Sequence, residues 1–234
     1  VRFAYLIEPP FNYREPDGTV TGCDVELARH VLGKVGETFE PIETEFAELL
    51  PGLSRDRWRM TTGLFATDER KRFARFSRPI WALPDGFLVR RGNPHGVTGY
   101  ASLAARDLRI AVIRDQIQHH AVAASGLAAD KVLIFDTYEM AAAAVAAGEA
   151  DAYASVARAH IGYLALHPDL DLDVVSVPTA EKPPAKGAFA FSPDDDALRQ
   201  AVDAVLAAFI ATPQHRMMMN RFGFTDAEID LLLE

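Results

Sequence analysis

Apolar and polar positions along this chain switch between the two periods that mark strands and helices. Val1-Arg2-Phe3-Ala4-Tyr5-Leu6-Ile7 reads as a strand, and turn chemistry follows at Pro16-Asp17-Gly18. Val25, Leu27, Ala28, Val31 and Leu32 then fall on one helical stripe and predict a helix over 24–32. Strands are expected over 38–44 and 60–63, with a short helix over 46–53 between them. From Phe87 the pattern restarts, with strands over 87–90, 108–113, 131–135, 151–155 and 172–177. Helices are expected over 115–125 and 137–147, closed by Gly126 and Gly148. The C-terminal part reads as helical. Ser192-Pro193 and Thr212-Pro213 each resemble an N-cap followed by proline at the first helical position, and Thr225-Asp226-Ala227-Glu228 is a capping-box pattern. Short strands alternating with helices predict an α/β protein with largely parallel sheets. Segments 82–86 and 181–187, rich in proline and glycine, read as crossings between the two blocks, with few dihedrals to absorb a hinge motion.

Composition then narrows the class. A chain of 234 residues, 49% apolar and 24% charged, can build one large domain or two ordinary ones, each with its own core. The formal charge of −9 argues against a nucleic-acid partner, and no basic stripe interleaved with aromatics appears. The arginines between Arg55 and Arg78 are diluted by Asp56, Asp68 and Glu69, as on a solvated face. Cys23 is the sole cysteine, which excludes an intrachain disulfide and a cysteine-based metal site. No apolar run reaches the roughly 18 residues of a membrane span. His119 and His120, adjacent on a predicted helix, point about 100° apart and suit a solvated face better than a metal. No metal or cofactor is expected. The sequence opens directly on a strand, so any signal peptide lies outside it.

The stretch 60–79 carries the candidate chemistry. Met60-Thr61-Thr62-Gly63-Leu64-Phe65 ends a strand in a glycine and an aromatic; Thr67 and Asp68 offer cap chemistry for a turn that delivers Arg70. An arginine there presents a planar fork that matches a carboxylate bidentately and stays charged at any working pH. Taken alone, it is equally a surface arginine paired with Asp68 or Glu69.

Motif order resolves that choice. Pro9-Pro10-Phe11, Asp17-Gly18-Thr19-Val20-Thr21-Gly22-Cys23-Asp24-Val25, Leu50-Pro51-Gly52-Leu53, Thr67-Asp68-Glu69-Arg70 and Phe76-Ser77-Arg78-Pro79 follow one another, then Gly148-Glu149-Ala150-Asp151-Ala152 and Phe189-Ala190-Phe191-Ser192-Pro193. In this order the chain resembles, over nearly its whole length, a type II periplasmic solute-binding protein of the polar amino-acid uptake family of ABC importers. The resemblance implies two α/β lobes joined by two crossing hinge strands, with 1–83 and 188–234 forming lobe one and 84–187 lobe two. It also implies a ligand held between the lobes, with Arg70 on its α-carboxylate and the Thr62–Gly63 strand end beside it.

The chain departs from the amino-acid pattern in lobe two. The position that usually grips an α-ammonium is Val156, and the loop usually rich in glycine and hydroxyls reads Arg114-Asp115-Gln116-Ile117-Gln118. Segment 55–59 also lacks the family's usual aspartate before the site strand and is a residue shorter than the family's pattern. These departures are shared in part by the ectoine-binding branch, which the chain matches in Glu8-Pro9-Pro10-Phe11, Gly63-Leu64-Phe65, an aromatic at Phe46 and Asp151-Ala152-Tyr153-Ala154-Ser155. Phe11, Phe46 and Phe65 would offer aromatic faces to a delocalised or alkylated cation. Glu8 would add a charge-assisted hydrogen bond, unless it pairs with Arg14. Gln116, Ile117 and Ser155 are the contacts expected from lobe two, with Gln118 the alternative to Gln116 and Asp115 as a cap; Trp58 and Trp81 read as structural.

The expected function is therefore an extracytoplasmic, periplasmic receptor that captures a small zwitterionic carboxylate. Ectoine or another compatible solute, an opine, a betaine or an ordinary amino acid all fit. The partners expected are that ligand and the permease subunits, with no nucleic acid, and the receptor itself is expected to be a monomer and not an enzyme. Two alternatives share the fold: a cyclohexadienyl-dehydratase-like enzyme, with Glu8 or Asp115 as its acid, and a ligand-binding sensor ectodomain.

Overall fold

The computed structural model describes residues 1–233. In chain order the elements are β1 (Arg2–Tyr5), β2 (Tyr13–Arg14), β3 (Val20–Thr21), α1 (Cys23–Lys34), β4 (Glu40–Glu43), α2 (Leu49–Ser54), β5 (Met60–Phe65), β6 (Arg75–Phe76) and β7 (Trp81–Leu83). There follow β8 (Asp85–Arg90), β9 (Ile110–Ile113), α3 (Ile117–Ala124), β10 (Val132–Phe135), α4 (Tyr138–Ala146), β11 (Ala152–Val156), α5 (Ala157–Leu166) and β12 (Leu172–Ser176). The chain closes with β13 (Ala185–Phe191), α6 (Asp196–Phe209), α7 (Pro213–Asn220) and α8 (Asp226–Asp230). It forms two compact units: Val1–Ala82 with Ala185–Glu234, and Leu83–Pro184.

The first unit is built on a sheet in the order β4-β1-β5-β13-β6, with β7 also on β13. β1 runs parallel to both β4 and β5, and this explains why its apolar residues do not alternate: Phe3, Ala4 and Tyr5 are all buried. β13 returns antiparallel to β5, placing Gly187 opposite Phe65, with a bulge between Phe189 and Ala190. The Ser77 amide donates to the Phe189 carbonyl at 3.0 Å, and its hydroxyl accepts from the Phe189 amide at 3.1 Å. The Phe-Ser-x-Pro motif thus clamps the returning strand. Trp58 is buried under α2, its indole donating to the Leu49 carbonyl at 2.8 Å.

The second unit holds a sheet in the order β10-β9-β11-β8-β12. β9 is parallel to β10 and β11, while β8 is antiparallel to β11 and β12. Phe87, Val89, Ile110, Val112, Leu103 and Val122 form much of its core. Asp151, from the Gly-x-x-Asp-Ala motif, accepts from the Arg109 amide at 2.8 Å and from its guanidinium at 3.0 Å. Burial alone would raise that carboxyl; the Arg109 donors outweigh it and hold it below the ordinary range.

Three local readings need correction. The helix expected after Ser192-Pro193 begins at Asp196, because Asp195 caps it through the Leu198 amide at 3.4 Å and is itself held by Arg59 at 2.6 Å. Asp115 is not a helix cap: its backbone is left-handed, with φ 62°, and Gln116 is the N-cap of α3. The helix expected over 46–53 opens instead as a 3-10 turn over Phe46–Glu48 before α2. By contrast, Thr212 and Thr225 cap α7 and α8, the latter with the full capping box to Glu228.

Candidate functional site

In the first unit the candidate residues converge on a buried carboxylate that the sequence did not single out. Gly22 adopts φ 126°, and a Cβ there would lie 2.1 Å from the Phe11 carbonyl oxygen. This close approach lets the first amides of α1, Cys23 and Asp24, donate to Pro10 and Phe11 carbonyls at 2.9 and 3.1 Å. The loop carrying Glu8 and Phe11 is thereby stitched to the helix start. Its other side closes on itself, with the Phe11 and Asn12 amides both donating to the Glu8 carbonyl.

The Asp24 side chain then gathers the strand end. Its Oδ2 accepts from the Thr62 hydroxyl at 2.7 Å and the Gly63 amide at 2.8 Å; its Oδ1 accepts from the Trp81 indole at 3.0 Å and the Cys23 thiol at 3.6 Å. Asn12 adds a 2.8 Å bond to the Thr62 hydroxyl. Burial pushes the Asp24 carboxyl up, opposed by those four donors. The Thr62 hydroxyl and the Gly63 amide, at two residues expected beside the ligand, are thus bonded within the protein.

Trp81, read from the sequence as structural, sits against two of the candidate rings. Phe11 lies 5.7 Å from it and tilted, Phe65 5.3 Å and edge-on, spacings typical of favourable aromatic pairs. Arg70 follows one turn beyond Phe65. Its backbone amide donates to the Thr67 hydroxyl at 3.2 Å, and its Nη1 to the Phe65 carbonyl at 3.1 Å. The guanidinium carbon stands 5.2 Å from the centre of the Phe46 ring. Phe46, expected as a face for a ligand cation, therefore takes the protein's own arginine. Asp68 pairs with Lys71, and Arg14 forks onto Glu43 rather than Glu8.

In the second unit Gln116 is buried at the N-cap of α3, Ile117 is partly exposed on its first turn, and Ser155 is buried on β11 opposite Gly86. Gln118, the other glutamine considered, donates to Asp85 at 2.7 Å. Asp85 also accepts from Tyr100 at 2.6 Å and from the Lys182 ammonium. Asp24, Trp81, Asp85 and Lys182 are what sequence reading missed. Asp24, Asp85 and Lys182 look locally ordinary, an acid in a helix's first turn or a residue beside a proline, Trp81 reads as structural without its partners, and all four become informative only through partners distant in sequence.

Two buried histidines set an acid limit. His160 meets the Tyr138 hydroxyl at 2.6 Å through Nδ1 and the Gly86 carbonyl at 3.3 Å through Nε2; a neutral ring with hydrogen on Nε2 satisfies both. Burial pushes it down to about 3, and His215 of the first unit, also buried and facing Arg216, to about 4. Both native values lie below the unfolded value near 6.5, so the unfolded chain binds the extra protons, and stability falls as pH drops below that value. Each histidine is expected to cost its unit roughly 2 kcal/mol between pH 7 and pH 5. Urea unfolding at the two pH values checks this, and His160→Gln should flatten the loss in its own unit.

An α/β unit split in sequence by a second one is the architecture that the resemblance to solute-binding proteins implied. The chain belongs to the bacterial extracellular solute-binding proteins, family 3, whose family model matches residues 1–225. It is 29% identical to a probable amino-acid ABC transporter periplasmic-binding protein of Sinorhizobium fredii, over 98% of this chain and 78% of that protein. It is 25% identical to the arginine-binding protein ArgT of Corynebacterium glutamicum, over 95% and 73%. Among solved structures, EhuB in complex with hydroxyectoine superposes with a TM-score of 0.88 at 24% identity, covering 100% of this chain and 93% of that one. The arginine-, lysine-, histidine-binding protein ArtJ of Geobacillus stearothermophilus gives 0.88 at 22% identity, over 100% and 98%. The chain is a solute-binding receptor that acts outside the cytoplasm, not an enzyme.

Proposed function

We propose that this receptor takes a small zwitterion bearing one carboxylate and a delocalised or alkylated cation, of the ectoine or compatible-solute type or an opine. Acting as a periplasmic monomer, it would deliver that ligand to the permease subunits of an ABC importer. The observation that carries this reading is the Arg70 fork, steadied by the Phe65 carbonyl and the Phe46 face, in the same unit as the Phe11 and Phe65 rings that pack on Trp81. Arg70 supplies the carboxylate partner, and the rings supply cation–π faces. Val156, at the strand end where an acid would hold a primary ammonium, has no charge to offer. Glu8, buried in the same loop as Phe11, gives one charge-assisted acceptor for an N–H of the cation. Gln116, Ile117 and Ser155 are the contacts assigned to the second unit. The resemblance to EhuB, whose structure contains hydroxyectoine, supports the ligand class. Arginine is the second reading, favoured by the names of ArgT and ArtJ.

A thermal-shift panel of ectoine, hydroxyectoine, betaines, opines and L-arginine tests the choice. A ligand at 100 times its Kd stabilises the native state by about 2.7 kcal/mol, a rise of roughly 5–10 °C for a protein of this size. Ectoine-type compounds should give that rise and Arg70→Ala should abolish it. A shift with L-arginine alone would overturn the ligand class, and ectoine binding retained in Arg70→Ala would remove the anchor.

A further inference from the structure

We propose that Trp81 is a positioning residue that sets ligand specificity: clamped by Asp24, it fixes the spacing and tilt of the Phe11 and Phe65 rings, and with them which cations the aromatic wall accepts. This rests on the aromatic wall of the proposed function but concerns a residue that need not touch the ligand.

Three observations carry it. First, Trp81 is the ring that both candidate aromatics share, 5.7 Å from Phe11 at 44° and 5.3 Å from Phe65 at 88°. Phe11 reaches the wall from the first loop and Phe65 from the end of β5, so Trp81 is the element that relates them. Second, the indole is held against two glycines. A Cβ on Gly63 would lie 2.7 Å from its Cζ2, and one on Gly187 would lie 2.0 Å from both Cη2 and Cζ3. Both positions belong to the β5–β13 ladder, where Gly187 faces Phe65 across the strands. Third, rotation within that slot is stopped by a polar contact. The indole N–H donates to Asp24 Oδ1 at 3.0 Å, and the other oxygen of the same carboxylate receives Thr62 and Gly63, three and two residues before Phe65. One buried carboxylate therefore fixes both the shared ring and the strand that delivers Phe65.

Cation–π attraction depends on ring face and distance, so a wall with fixed tilt favours a flat delocalised cation over a compact ammonium, which draws on point charges instead. A wall whose rings can rock loses that preference. Trp81→Phe keeps an aromatic ring of smaller size and removes the N–H, leaving the Cys23 thiol as the remaining donor to Asp24 Oδ1. Asp24→Asn keeps Trp81 and alters its clamp.

The experiment measures Kd by calorimetry for ectoine, with its flat delocalised cation, and L-alanine, whose only cation is a compact ammonium, with wild type, Trp81→Phe and Asp24→Asn. A loss of general integrity weakens both ligands in proportion; loss of positioning changes their ratio. We expect the affinity of ectoine relative to L-alanine to fall at least tenfold in both variants, and an unchanged ratio would overturn the proposal. A ligand-free arm stands independently of which solute binds. The sequence contains two tryptophans, so Trp58→Phe leaves Trp81 as the sole tryptophan, read by excitation on the red edge where tyrosine does not absorb. In that background Asp24→Asn should shift the emission to longer wavelength and raise acrylamide quenching. Unchanged emission and quenching would show that Asp24 does not hold the indole. If wild type binds neither solute, the ligand class fails while this second arm still decides the clamp.

Discussion

Lys182→Met should be among the most damaging single substitutions in the second unit, costing about 3 kcal/mol of its stability. Asp85 is almost fully buried, and its carboxylate is met by the Lys182 ammonium, the Tyr100 hydroxyl and the Gln118 amide. Lys182 also lies 5.5 Å from the Tyr100 ring, so its charge has an aromatic face as well as an acid. Removing one member of a buried ion pair leaves the other desolvated and uncompensated, at a cost of roughly 3–5 kcal/mol. Two neutral donors remain on Asp85, and Lys182 is itself partly exposed, which places the expectation at the lower end. The comparison that isolates the mechanism is Asp85→Asn with Lys182→Met, read by urea unfolding. The double variant should recover most of the loss, because no unpaired charge is left behind. If it is no more stable than Lys182→Met alone, the penalty does not come from the stranded carboxylate.

Gly187→Ala should be comparably severe in the first unit, by overpacking rather than by charge. The new Cβ would stand 2.0 Å from two ring carbons of Trp81, far inside van der Waals contact, and the ring has nowhere to go. Gly63 closes one side, Asp24 holds the indole N–H, and Phe11 and Phe65 occupy two more directions. Inserting a methyl group into a well-packed core costs about 1–3 kcal/mol and more where nothing can yield. A loss of at least 3 kcal/mol is expected in urea unfolding. Trp81→Phe in the same chain should relieve part of it, since the smaller ring vacates the contact. A Gly187→Ala protein as stable as wild type would show that β13 can shift away from the indole.

The sequence exposed what was local and hid what was not. The stripe of Val25, Leu27, Ala28, Val31 and Leu32 lies within three turns of one helix, and the Thr225 box spans four residues, so both could be read directly. The turn that delivers Arg70 was legible for the same reason, since its supports at Thr67 and Phe65 are three and five residues away; the role of the side chain came only from the family resemblance. The start of α6 was misplaced because Asp195 is selected partly by Arg59, 136 positions earlier. Trp81 meets Asp24 across 57 positions and Lys182 meets Asp85 across 97. No period or cap rule reaches that far. Each of these residues also has an unremarkable local reading, and none contradicts its own element. Thr62 and Gly63 were placed in the right neighbourhood, but which partner takes their donors depends on a helix that starts 40 residues earlier.

The return strand β13 lies inside the first unit's sheet, between β5 and β6, although it is made only after the whole second unit. As the chain emerges from the ribosome, residues 83–184 are contiguous and can finish their own sheet while the first unit still waits for its inner strand. Until then β5 presents an unpaired edge, the kind of surface on which chains join one another by mistake. Closing the long intervening loop adds only logarithmically to the entropic cost, so the delay is one of order of synthesis rather than of thermodynamic penalty. A receptor of this topology carries most of its candidate binding residues on a scaffold that completes last. Its quality in the cell depends on keeping that open edge unoccupied until residues 185–191 arrive.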